Sequence, residues 1–195
     1  MDVTFHRLDG NRYFTTAVRD DGVTVRIPGF DRTSAVPHDL AHFVAEREFG
    51  MTRGFWGSVA AGALFTNMPV EGRQKPHAAE RSKQIIKAHA VDIGIAEAVA
   101  AAIHDAVEDD LAPEVVLRRL RAQSDSAGTG PPPMAVTEVR AAAAALRREA
   151  ERWSAVPVGQ SLTLTWPFPA EHIPMSRSGK ARNGRLSGKQ ARYRH

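Results

Sequence analysis

The chain contains no cysteine. That removes disulfides, thiol nucleophiles, iron–sulfur clusters and every cysteine-based zinc site, together with the usual staple of small secreted domains. Long apolar runs are also missing. The alanine-rich stretches carry a charge every few residues and never reach about 18 uninterrupted apolar positions, so no membrane-spanning helix is expected. The opening residues, Met1-Asp2-Val3-Thr4-Phe5-His6, lack the basic segment and apolar stretch of a signal peptide, and a cytoplasmic location is expected. No P-loop occurs, no Gly-x-Gly-x-x-Gly opens a helix after a strand, and Ser161 has no nucleophile-elbow context. Nucleotide enzymes and serine hydrolases therefore have no support, and no internal repeat is present.

What remains is an ordinary globular composition. Hydrophobic residues make up 43% of 195 residues, enough for one core of useful size, although only two are Tyr and three Trp. The net charge of +4 is unevenly placed. Residues 176–195 hold seven basic side chains (Arg177, Lys180, Arg182, Arg185, Lys189, Arg192 and Arg194) and no acid, which leaves 19 basic against 22 acidic residues elsewhere. The pI of about 9.8 describes that end of the chain and not a basic fold. A segment so poor in apolar residues cannot bury enough surface to offset its ordering entropy. Two parts are expected: a single α+β domain over 1–170 and a disordered basic tail over 171–195. The tail could contact nucleic acid or acidic proteins nonspecifically, with salt-dependent affinity.

Near the N-terminus, residues 3–8, 13–19 and 23–27 read as strands separated by Asp9-Gly10-Asn11 and Asp20-Asp21-Gly22. Glycine accepts the positive φ that tight hairpin turns demand. An alternating segment at 160–166 reads as a further strand joining that sheet. The fold expected is a small antiparallel meander of three or four strands packed against five or six helices. The first helix starts near Pro37 and ends at Gly50, and a second apolar segment runs from Gly54 to Phe65. One or two helices broken near Asp92 to Gly94 follow, then a short helix from Pro113 to Arg121, a connector over 123–133, and a long helix from Val136 to Trp153.

The chemically loudest run is Pro37-His38-Asp39-Leu40-Ala41-His42-Phe43-Val44-Ala45-Glu46. At about 100° per residue, His38 and His42 share one helix face opposite Leu40 and Val44, and Glu46 continues their row. Imidazoles at i and i+4 can address one metal ion. Over five residues the run resembles the His-Glu-x-x-His helix of zinc metalloproteases, with Asp39 where that helix has Glu and one methylene less of reach. His38 and His42 are thus the candidate ligands of a divalent metal such as zinc. Asp39 and Glu46 are the candidate catalytic carboxylates, able to orient an imidazole or take a proton.

Eight residues separate His38 from Glu46, about 12 Å along the axis, so Glu46 serves either as a partner of an imidazole or not at all in direct ligation. A third ligand must then come from elsewhere, with His77, His89 and His104 candidates by type alone. The same polar row is also the ordinary pattern of a solvated helix face. Two function classes follow. One is a metal-binding protein, in its enzymatic form a metal-dependent hydrolase. The other is a non-enzymatic interaction protein whose helical surface or basic tail engages a protein or nucleic acid. Phe55 and Trp56 read as core, with a pocket lining as the alternative.

Overall fold

The three N-terminal strands β1 (Asp2–Arg7), β2 (Tyr13–Val18) and β3 (Thr24–Pro28) form the expected meander in the computed structural model, which describes residues 1–29, 33–72, 74, 76–127 and 134–173. Gly22, at φ +80°, supplies the left-handed residue that the β2–β3 turn requires. The sheet has five strands, more than the three or four expected. A two-residue strand β4 (Val70–Glu71) pairs with β3, and the C-terminal strand β5 (Ser161–Thr165) pairs with β1. The order is β4-β3-β2-β1-β5, with every neighbouring pair antiparallel. Phe5 lies opposite Thr15 on one side and Leu162 on the other. Val3, Phe5, Tyr13, Ala17, Val25, Ile27, Leu162 and Leu164 therefore share the buried face.

Among the described residues there are six helices: α1 (His38–Glu48), α2 (Phe55–Ala61), α3 (Ala78–Ala88), α4 (Ala90–Glu108), α5 (Pro113–Ala127) and α6 (Val136–Ser154). Pro37 is the N-cap of α1, and its carbonyl accepts from the N–H groups of Leu40 and Ala41. Gly50, in the left-handed region, follows its C-terminus as expected. Three boundaries differ from expectation. α2 is only seven residues long, closed at Gly62. The break between α3 and α4 falls at the buried His89 instead of Asp92 to Gly94. α5 continues to Ala127, past the start of the expected connector. Residues 128–133 and the tail from 174 onward lie outside the described residues.

α1 is buried on every side from Leu40 to Glu46. Phe43 meets the sheet in an edge-to-face contact with Phe5 at 6.2 Å, and Trp56 joins the same cluster. On its other flanks α1 packs against α4 and α6. The solvated-face alternative for the polar row of α1 does not hold, because His42 and Glu46 are interior residues. No helix among the described residues is long and apolar enough to cross a membrane.

Candidate metal centre

Polar side chains on an interior helix must find partners, because an unpaired buried polar group is costly. The partners of α1 come from β2, α2 and α4. His42 sits at the centre. Its Nδ1–H donates to Glu46 Oε1 at 3.1 Å, one turn along the same helix, and its Nε2 lies 3.0 Å from Glu97 Oε2 on α4. The other oxygen of Glu97 is 3.3 Å from His38 Nε2. One carboxylate from α4 thus bridges two imidazoles from α1. Ligand atoms of His38, His42 and Glu97 all lie within 4.8 Å of one another. Nitrogen and oxygen ligands of a tetrahedral zinc lie about 3.4 Å apart at ordinary bond lengths. The two contacts of Glu97, at 3.0 and 3.3 Å, are already of that order.

Glu46 is the rigid part. Its side chain is fully buried, and besides His42 it accepts the N–H of Phe55 at 3.1 Å and of Trp56 at 2.9 Å. These are orphan donors of the first turn of α2. Gly54 makes the approach possible: a Cβ there would stand 2.5 Å from Glu46 Oε2. The local sequence Gly54-Phe55-Trp56 therefore builds a notch for a carboxylate nine residues earlier. A carboxylate gripping the far nitrogen of an imidazole fixes its tautomer and aims the near nitrogen, the arrangement usual behind metal-bound histidines.

A second grip fixes the entry to α1. His104 Nε2–H donates to the carbonyl of Val36 at 2.9 Å, and Glu108 Oε1 accepts the N–H of the same residue at 2.7 Å. Both hold the backbone two residues before His38. The His104 ring lies edge-on to that of His38 at 5.8 Å.

The charges respond to this crowding. Burial opposes a charge on His42, but its hydrogen bonds to Glu46 and Glu97 outweigh that and lift its pKa to about 9. Hydrogen bonds from His38 and His42 hold the Glu97 carboxyl well below the usual range. Asp39 is raised to about 6 by burial, against the Thr15 hydroxyl and the two nearby imidazoles.

The sequence-predicted residues thus fall in three places. His38 and His42 converge. Glu46 stands behind His42 with no exposed surface and does not face the open side. Asp39 turns towards the sheet, where Oδ2 accepts from Thr15 Oγ1 at 2.8 Å, and it is not among the three converging groups. Of the further histidines weighed as ligands, His104 is spent on Val36, and His89 meets Ser58 at 2.9 Å elsewhere. His77 caps the start of α3 and is not in the cluster.

Sequence reasoning missed Glu97, the third group. It had one available signal: Glu97 is the only charged residue between Ile93 and Ile103, a stretch otherwise of Gly, Ala, Ile and Val. Phe55, half-buried, flanks the cluster at 5.6 Å from His42, while Trp56 is wholly core, with its indole N–H on the carbonyl of Asp39. Comparison of the chain with family models, curated proteins and solved structures finds no match, so the chemistry of the site is argued from its own geometry.

Proposed function

We propose that this protein binds a divalent metal ion through His38, His42 and Glu97, with Glu46 orienting His42. The observation that carries the reading is the convergence of three ligand atoms from two helices, one of them held from behind by a buried carboxylate. Two imidazoles and a carboxylate suit zinc, and they equally suit iron or manganese with open positions. Such a set leaves room for water at the ion. A metal held this way lowers the pKa of a bound water and would support hydrolysis, which makes a metal-dependent hydrolase the enzymatic form of the proposal. Asp39, tied to Thr15, has no part in that chemistry.

The direct test is competition with a chromophoric zinc chelator, using wild type, His38→Ala and Glu97→Gln. One tight site is expected in the wild type. His38→Ala removes one donor of three and Glu97→Gln replaces a charged oxygen donor with a neutral amide, so affinity should fall by at least about tenfold in each while the helical circular dichroism is unchanged. Equal zinc affinity in all three proteins would contradict the assignment.

A further inference from the structure

At the other end of α2 from the histidine cluster lies a cavity of about 470 Å³, within the size range of small-molecule sites. Val23, Leu64, Val70 and Pro76 supply apolar wall. Two arginines, Arg19 from the β2–β3 hairpin and Arg81 from α3, reach it from different elements. They meet at Gly62. A Cβ on that residue would stand 3.8 Å from Arg19 Nη1 and 3.5 Å from Arg81 Nε, so both guanidinium groups approach one spot on the wall.

Of the acids that line the cavity, Asp21 pairs with Arg19, and among the described residues none pairs with Arg81. Asp20 is bonded to the N-terminal ammonium at 2.7 Å. Asp21 holds Arg19 through Nε and Nη2, which leaves Arg19 Nη1 with no acceptor among the described residues. Arg81 reaches the carbonyl of Ala61 through Nε and Nη2 at 3.4 Å each, a weak cap on the end of α2, and its Nη1 likewise has no acceptor there. The Arg19 side chain is only 10% exposed. A donor on a cation so little exposed gains a charge-assisted hydrogen bond from an anion in the cavity. Guanidinium donors match the geometry of a carboxylate, and apolar walls suit a hydrocarbon body.

We propose that this cavity binds a small organic carboxylate with an apolar body, its anionic head between Arg19 and Arg81. The site is separate from the histidine cluster and does not depend on a metal.

Calorimetric titration of the full chain with octanoate, with octanamide as the neutral comparator of equal length, tests it. One saturable site for octanoate is expected, with octanamide binding about tenfold or more weakly. Arg81→Gln should weaken octanoate by a similar factor, and His42→Ala should leave it unchanged. No saturable octanoate binding at millimolar concentration would overturn the proposal. So would equal affinity for acid and amide, a comparison that needs no variant to fold. Unaltered affinity in a folded Arg81→Gln protein would overturn the assignment of the head group.

Discussion

Glu46 carries more of the candidate centre than its position in the sequence suggests. It never reaches the open side, yet it holds His42 through Nδ1 and is itself held by two backbone N–H groups. Glu46→Gln should therefore lower metal affinity by about 10- to 100-fold, although no ligand is removed. A Gln at this place would turn an amide NH₂ towards the N–H of Phe55 or Trp56, at a stability cost of about 1–3 kcal/mol. Gly54→Ala is a second probe. Its methyl would stand 2.5 Å from Glu46 Oε2 and 2.9 Å from the Cβ of Ala96, so it displaces the carboxylate that holds His42 and presses on α4 beside Glu97. The same direction of loss is expected, measured by chelator competition; an unchanged affinity in a folded Gly54→Ala protein would detach Glu46 from the site.

His89 makes a different residue-scale prediction. It is buried between α3 and α4, and burial together with the Arg53 charge lowers its pKa, against Glu171 and Asp92. A histidine whose folded pKa lies below its unfolded value near 6.5 favours folding while neutral. Its contribution is present above about pH 6.5 and is lost as the pH falls through the folded value. Thermal midpoints should thus fall more steeply below pH 6.5 in wild type than in His89→Gln. Parallel curves for the two proteins would rule His89 out as the cause.

At the scale of elements, the link between α1 and β2 is Asp39 with Thr15. An inward Thr on a strand facing an apolar core needs an acceptor, and Asp39 provides it. Thr15→Val keeps the shape and removes the donor, leaving a partly buried carboxylate without its hydrogen bond. A loss of about 1–3 kcal/mol in denaturant unfolding is expected, with metal affinity retained. Metal affinity falling together with stability would instead return Asp39 to the site.

The elements were legible to different degrees. The meander was readable because Asp-Gly and Gly-Asn turns separate alternating runs, and α1 because Pro37 and Gly50 bracket an apolar stripe. The break at His89 was not. Gly94 looked the weaker helix former, but His89 is pinned to Ser58 on α2, and that contact spans 31 residues. β4 was hidden for a similar reason: two residues carry no periodicity, and only pairing with Thr24 and Val25 makes them a strand. In the same way, the i, i+4 spacing placed His38 and His42 on one helix face, whereas Glu97 is brought to them across 55 residues by helix packing.

For the molecule as a whole, the decisive arrangement is the burial of α1 between the sheet and the other helices. A helix so placed can carry polar residues only if its neighbours satisfy them. The fold does this with Thr15, Glu97 and the first turn of α2, and the pairing leaves two imidazoles and a carboxylate together at a partly open edge. The basic end of the chain lies outside the described residues and has no part in this account.

The central claim is that this edge holds a metal. The most direct measurement is elemental analysis of tag-free protein purified without chelator, with His42→Ala prepared in parallel. About one equivalent of zinc, iron or manganese in the wild type, lost from a folded His42→Ala protein, is the predicted result. No metal in the wild type even after reconstitution, or equal content in the two proteins, would contradict it.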